Sequence, residues 1–285
     1  MSRIVFEKYQ GNGNDFIIID SRDYDFHKYL LLNNINSHHL CNRNFGIGAD
    51  GIVFILRAID KDNDARMVIY NSDDSEAEMC GNGIRCLIKF LKDRAMSNHL
   101  KCEFRIETKA GLKVSTYHEG KIRVNMGRPI FENNLIPTII SEKIKEIPTK
   151  DFKLNKFECR GYSCSMGNPH LVFFVDNLKN LNLYELGPLF EKNEFFPQKT
   201  NVHFCKIIDS KNIEVLVWER GAGATLACGT GACAIHSIAF RLGYCGCKST
   251  IKLPGGILDI EWGDNNDEVY MTGEAKKVFS GEYTF

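Results

Sequence analysis

The sequence predicts an α+β protein of two duplicated halves, each mainly short strands with one prominent helix. Three observations carry this. Short strand-like runs separated by turn signals fill most of the 285 residues. Two amphipathic helical runs stand out, each opened by a Cys-Gly-x-Gly turn. Two sets of motifs recur at nearly one offset along the chain.

The strand-like runs come first. In the first half they are Ile4–Tyr9, Phe16–Asp20, Ile52–Ile59, Arg66–Asn71, Phe104–Thr108, Leu112–Tyr117 and Lys121–Asn125. In the second they are His170–Asp176, Ile213–Glu219, Ile257–Trp262 and Glu268–Met271. Glu119-Gly120, Pro254-Gly255-Gly256 and Gly263-Asp264-Asn265-Asn266 punctuate them as turns. Ile84, Leu87, Ile88 and Leu91 fall on one helical face, and so do Ile235, Ile238, Ala239 and Leu242, with Gly243 as the residue that ends the second helix. The apolar start of that helix, Ala232-Cys233-Ala234-Ile235, predicts that it runs through the middle of its domain.

The repeat extends beyond the helices. Cys80-Gly81-Asn82-Gly83 and Cys228-Gly229-Thr230-Gly231 lie 148 residues apart. Gly13-Asn14-Asp15-Phe16 and Gly167-Asn168-Pro169-His170 lie 154 apart, each followed by an apolar run. Tyr70-Asn71 and Trp218-Glu219 close the strand-like run before each cysteine. Two unrelated Gly-rich turns are the competing account. A polar, Pro-bearing stretch from Gly127 to about Lys156 separates the halves, and the boundary is expected near Gly127.

Composition excludes several classes. Hydrophobic content of 44% and charged content of 25% describe a globular chain. The 36 basic and 36 acidic side chains cancel, which speaks against a nucleic-acid or membrane-surface partner. No apolar run approaches the ~20 residues of a membrane span. The N-terminus reads as a strand, and the expected location is the cytoplasm. Eleven cysteines without a Cys-x-x-Cys point to reduced thiols, not to a zinc ribbon or a redox pair. His38-His39-x-Cys41 and His203-x-Cys205 lack a second half with ligand spacing, so no metal is expected.

The chemistry follows from the paired turns. Glycines let the backbone approach a ligand closely. Unpaired N–H groups at a helix start favour an anion such as a carboxylate, and the same field lowers a thiol pKa. Two such turns suggest two thiols facing each other across one substrate. One thiolate removes an α-proton and the other thiol protonates the opposite face, while N–H donors stabilise the carbanion. Cys86 and Cys233 read as small core residues, and Cys41, Cys102, Cys159, Cys164, Cys205, Cys245 and Cys247 lack a motif context. Gly11-Asn12-Gly13-Asn14-Asp15 precedes no helix pattern, so it is not read as a nucleotide loop. A Cys–His hydrolase using His170 or His236 is a rival, as is a non-enzymatic amino-acid-binding protein.

The segments Asn71 to Cys86 and Glu219 to Ala234 resemble the signatures of the diaminopimelate epimerase family, as do Gly13-Asn14-Asp15-Phe16, Met166-Gly167-Asn168-Pro169-His170 and Met271-Thr272-Gly273. The resemblance covers essentially the whole chain. It implies two pseudo-symmetric domains, each a mostly antiparallel, barrel-like sheet around a central helix. Residues 1–127 joined by a returning strand at 274–285 form one, and 128–273 the other. It implies cofactor-independent interconversion of LL- and meso-diaminopimelate, a small diamino diacid, in lysine and peptidoglycan-precursor synthesis. It also implies a homodimer.

By position, the resemblance assigns Cys80 and Cys228 as the acid/base pair. Asn14, Asn71, Asn168, Asn201, Glu219 and Arg220 become substrate contacts, with Arg220 forking a distal carboxylate. Gly81, Asn82, Gly83, Gly229 and Thr230 become carboxylate-holding turn residues, and His170 a supporting residue. Asp74 stands where the family usually has Gly, Ala224 where it usually has Glu, and Gly51 where part of it has Gln; Gln10 and Asn12 also depart. These leave open a related racemase of the same fold, acting for example on histidine.

Overall fold

The computed structural model describes residues 3–24, 36–94, 101–154, 157–263 and 266–284. It divides into two compact units, one running through Val124 and resuming at Gly273, the other Asn125–Thr272.

In the first unit, strand Arg3–Gly11 folds back on strand Asn14–Asp20. Asn12 and Gly13 make the turn, with φ of +57° and +80°. Two central residues in the left-handed region give the hairpin turn whose twist matches that of its strands, and Asn-Gly suits it best. Gly11–Asp15 is therefore a hairpin and not a phosphate loop. Asn14–Asp20 runs parallel to Gly51–Leu56, which is antiparallel to Ala65–Asn71. That strand is parallel to Glu103–Thr108, which continues antiparallel through Gly111–His118 and Lys121–Gly127. Lys276–Thr284 returns to pair antiparallel with Arg3–Gly11.

Parallel pairing requires a crossover, and each crossover carries a helix. Helix α1 (Ser37–Cys41) lies in the first and helix α2 (Gly81–Arg94) in the second. Ile84, Cys86, Leu87, Ile88 and Leu91 are buried as expected, but so are Arg85 and Phe90. With apolar contacts nearly all round, α2 is the central helix of this unit.

The second unit repeats the pairing order. Phe157–Ser165 is antiparallel to Pro169–Phe174, which is parallel to Asn201–Ile207. Asn212–Glu219 follows antiparallel, Lys248–Leu253 parallel and Gly256–Gly263 antiparallel. Ile147–Leu154 covers the outer edge of Phe157–Ser165, as Lys276–Thr284 covers Arg3–Gly11. Its crossovers carry helix α3 (Leu183–Glu191) and helix α4 (Gly229–Leu242). Residues 231–239 of α4 are all buried, and Gly243 ends the helix at φ +85°. Phe152, Phe173, Phe190 and Phe204 form a dense core between α3 and the sheet. Each buried Phe stabilises the fold by about 1.5–3 kcal/mol.

Some expectations need correction. The stretch between the halves is not simply a connector, because it holds strand Ile147–Leu154. There Phe152 turns inward while Lys153 faces solvent, and the charged positions masked the strand. The run expected to reach Ile59 stops at Leu56, and Ile59 is exposed. Residues 264 and 265 of the expected turn lie outside the described residues. Among those described, no helix is long and apolar enough to cross a membrane.

Candidate active site

Cys80 stands immediately before α2, and its carbonyl accepts the Ile84 N–H at 2.9 Å. Its sulfur accepts the Gly83 N–H at 3.4 Å. The thiol therefore occupies the helix-capping place that Ser or Asp usually fills. Asn82 is buried, and its Nδ2 donates to Asn14 Oδ1 at 3.1 Å. Asn14 in turn donates from Nδ2 to Asp50 at 2.8 Å, and Asp50 pairs with Arg43. Asn14 thus links the start of α2 to a charged cluster that also includes Asp15 and Lys8.

Arg85, fully buried, donates to Gly81 O, to Asn12 Oδ1 and to Glu274 O. One guanidinium thereby joins the first turn of α2, the Asn12-Gly13 hairpin that positions Asn14, and the returning C-terminal segment. The departure at Asn12 supplies one of its acceptors, and Gln10 accepts the Gly13 N–H across the same turn. Neither Arg85 nor Asp50 was identified from sequence. Arg85 lies five residues after the cysteine, where its side chain reads as an exposed helix position.

Asn71 ends its strand in an exposed position and donates to Ser75 Oγ at 2.9 Å. Asp74 has φ +68°, the left-handed conformation that explains a usual Gly there. Its carboxylate compensates by accepting the Ser37 hydroxyl and the His38 N–H at the start of α1. At Gly51 a Cβ would lie 2.7 Å from the Tyr70 carbonyl oxygen, so this backbone excludes a larger residue.

The second half-site is built alike and furnished differently. Cys228 precedes α4, with its carbonyl accepting the Ala232 N–H at 3.0 Å. Here the expectation of a thiol ionising near neutral pH is overturned. Burial raises the Cys228 pKa well above its ordinary value, and the Glu219 carboxylate beside it adds to the effect. The Thr230 hydroxyl and Gly231 N–H oppose the shift without overcoming it. Desolvation of a residue only 4% exposed outweighs the helix-start field.

Glu219 also accepts the Thr225 hydroxyl at 2.6 Å. Arg220 is exposed, with its guanidinium on the Gln198 carbonyl at 3.2 Å and its N–H on Asn201 Oδ1 at 3.0 Å. Asn201 is buried and donates to Pro169 O at 2.9 Å. It ties the backbone just after Asn168 to the backbone of Arg220. Buried Glu191 of α3 holds Trp218 and the Gly221 N–H, fixing the turn that presents Arg220. Ala224 is exposed and pairs through its backbone with Trp218.

His170 and His203 lie fully buried beside Cys228, and the three bring one ligand-type atom each within 4.8 Å of one another. His170 Nε2 meets Asn168 Oδ1 at 2.9 Å, and its Nδ1 meets His203 Nε2 at 2.9 Å. Burial pushes His203 down to about 3 and His170 well below the imidazole range, so both rings are neutral. His236 is packed as expected, bonding Ser249. Sequence reasoning missed His203, whose partner proves to be His170 and not Cys205. The alignment comes from the parallel pairing of Pro169–Phe174 with Asn201–Ile207, which no local pattern reports.

The repeated fold, with a cysteine immediately before each central helix, defines a class of duplicated α+β protein with matched thiols. A phenazine biosynthesis protein of the PhzF family from Bacillus anthracis shares this fold, with a TM-score of 0.70 over 100% of both chains at 16% identity. A profile of the diaminopimelate epimerase family matches residues 6–132 and 162–278. The diaminopimelate epimerase of Prochlorococcus marinus (strain NATL2A) is 50% identical over 280 residues, covering 97% of this chain and 98% of that protein. That of Methanococcus maripaludis (strain C5) is 45% identical over 287 residues, with 97% and 98% covered. The chain belongs to the diaminopimelate epimerase family.

Proposed function

We propose that this protein interconverts LL- and meso-diaminopimelate, with Cys80 and Cys228 as the acid/base pair. The observation that carries the reading is the repeated geometry, which gives each half a thiol immediately before its central helix and a Gly-rich turn. A thiolate takes the α-proton, the electron pair stays on the substrate as an enediolate-like anion, and the opposite thiol supplies a proton to the other face. The proton count balances between two cysteines, so the reaction needs no cofactor.

Cys228, held protonated, starts as the donor. Having donated, it is left as the thiolate that takes the α-proton when the reaction runs the other way, while Cys80 returns the proton. Helix-start N–H groups at Gly81, Asn82, Gly83, Gly229 and Thr230 hold the reacting carboxylate. Asn14, Asn71, Asn168, Asn201, Glu219 and Arg220 form the remaining binding set, in which Arg220 discriminates for a second carboxylate. We further place the protein in the cytoplasm as a homodimer, an assembly that light scattering on the purified protein tests.

Incubation with LL-diaminopimelate in deuterated water is expected to introduce deuterium at one α-carbon as the meso isomer forms. Cys80→Ala and Cys228→Ala are each expected to abolish epimerisation. Turnover of a different amino acid, with no exchange on diaminopimelate, would reject the substrate. Retained epimerisation in either Ala variant would reject the two-thiol mechanism.

A further inference from the structure

Two imidazoles in series lie behind Asn168, and their bonding has a direction. His203 Nε2 meets His170 Nδ1, and His170 Nε2 meets Asn168 Oδ1, each at 2.9 Å. Each neutral ring carries one proton, so the chain has two self-consistent settings. In the first, His203 donates to His170 and His170 donates to the amide oxygen. In the second, both protons move to Nδ1 and the amide must turn its NH2 toward His170.

The surroundings of His203 choose between them. Its Nδ1 is buried, and no hydrogen-bond partner reaches it among the described residues. The second setting would place an N–H there without an acceptor. The first leaves only an unfilled lone pair, and buried donors without acceptors are the rarer case. Turning the ring to escape this choice would take Nε2 away from His170 Nδ1. The His203 Cε1 would lie 2.3 Å from a Cβ on Gly231, so the ring is wedged against the first turn of α4, beside Cys228.

We propose that His203 is a positioning residue that, acting through His170, locks the Asn168 amide with its oxygen turned inward and its NH2 offered to an acceptor on the substrate. This rests on the reading that Asn168 binds substrate. An amide with its oxygen already engaged presents donors only, which suits a carboxylate oxygen and disfavours an ammonium group. Asn168 thereby becomes an orientation-selective contact instead of an adaptable one.

The test uses the full-length protein labelled with ¹⁵N-histidine. Long-range ¹H–¹⁵N correlation spectra should show both His170 and His203 protonated on Nε2. Protonation of His170 on Nδ1 overturns the proposal whatever the enzyme's activity. His203→Phe removes the donor, and is expected to shift the His170 proton to Nδ1 and lower kcat/KM by roughly tenfold to hundredfold, mainly through KM. His203→Gln retains an N–H donor, and should keep the His170 tautomer and recover most of the loss. Equal losses in both variants with an unchanged tautomer would show a merely structural role and refute the inference. Nε2 tautomers in a wild-type protein that does not epimerise diaminopimelate would sink the proposed function while leaving the amide's orientation intact.

Discussion

Gly83 and Gly231 occupy the same third helical position in the two halves, yet the structure predicts opposite responses to alanine. A Cβ on Gly83 would lie 3.1 Å from Ile69 Cδ1, 3.4 Å from Cys80 Cβ and 3.6 Å from Val53 Cγ2. The closest atom is the end of a flexible side chain, and Ala in a helix gains up to about 1 kcal/mol over Gly. Gly83→Ala should therefore stay within about 1 kcal/mol of wild type. A Cβ on Gly231 would lie 2.3 Å from His203 Cε1, 2.8 Å from His203 Nε2 and 3.1 Å from the Cys228 sulfur. His203 is fully buried and bonded to His170, so relief requires overpacking of about 1–3 kcal/mol plus a lost hydrogen bond of about 1 kcal/mol. Net of the helix gain, Gly231→Ala should destabilise its unit by about 1–3 kcal/mol, or roughly 3–9 °C in midpoint. Both tryptophans, Trp218 and Trp262, belong to that unit, so fluorescence-monitored urea unfolding reports it directly. Circular dichroism follows the Gly83 variant. Equal stability losses in the two variants would refute the assigned ring position.

Further outcomes follow from the buried polar groups. His203 and His236 have folded pKa values near 3 and 4, below the ordinary imidazole value, through burial. The unfolded chain therefore binds more protons, and stability is complete above about pH 6.5 and falls as pH drops toward the folded values, by at most ~1.4 kcal/mol per pH unit for each histidine. Urea unfolding between pH 7 and 4 checks this, and His203→Gln should flatten the slope; an unchanged slope contradicts a neutral buried His203. Arg85→Met leaves Gly81 O, Asn12 Oδ1 and Glu274 O without their donor, and a loss of about 2–4 kcal/mol is expected in urea denaturation. Arg85→Lys should recover only part of it, because an ammonium lacks the planar fork; wild-type stability in the Met variant would refute the three-way clamp. Glu191→Gln should raise KM severalfold with little change in kcat, since Glu191 holds the Arg220 turn through Trp218 and Gly221. A kcat defect at unchanged KM would contradict that role.

Local chemistry made much of this protein legible in its sequence. Apolar spacing placed α2 and α4, because a helix buried among strands must be apolar at intervals of its own period. The Cys-Gly-x-Gly turns marked the helix starts, since only small residues let a backbone pack that tightly and still leave its N–H groups open. The recurrence of Asn14 and Asn168, and of Asn71 and Glu219, exposed the duplication. Tertiary structure decided what those motifs meet. Strand Ile147–Leu154 was hidden by its charged outer face, and Lys248–Leu253 by the same alternation. Arg85 carries no local signal of burial, and only the fold closes Gly81, Asn12 and Glu274 around it. The raised pKa of Cys228 has no signature in its helix start, because desolvation and the Glu219 charge are set by side chains that converge only on folding. His203 lies 33 residues from His170 and 25 from Cys228. Parallel pairing of strands joined through α3 brings the two rings together, and that non-local register has no signature in the sequence.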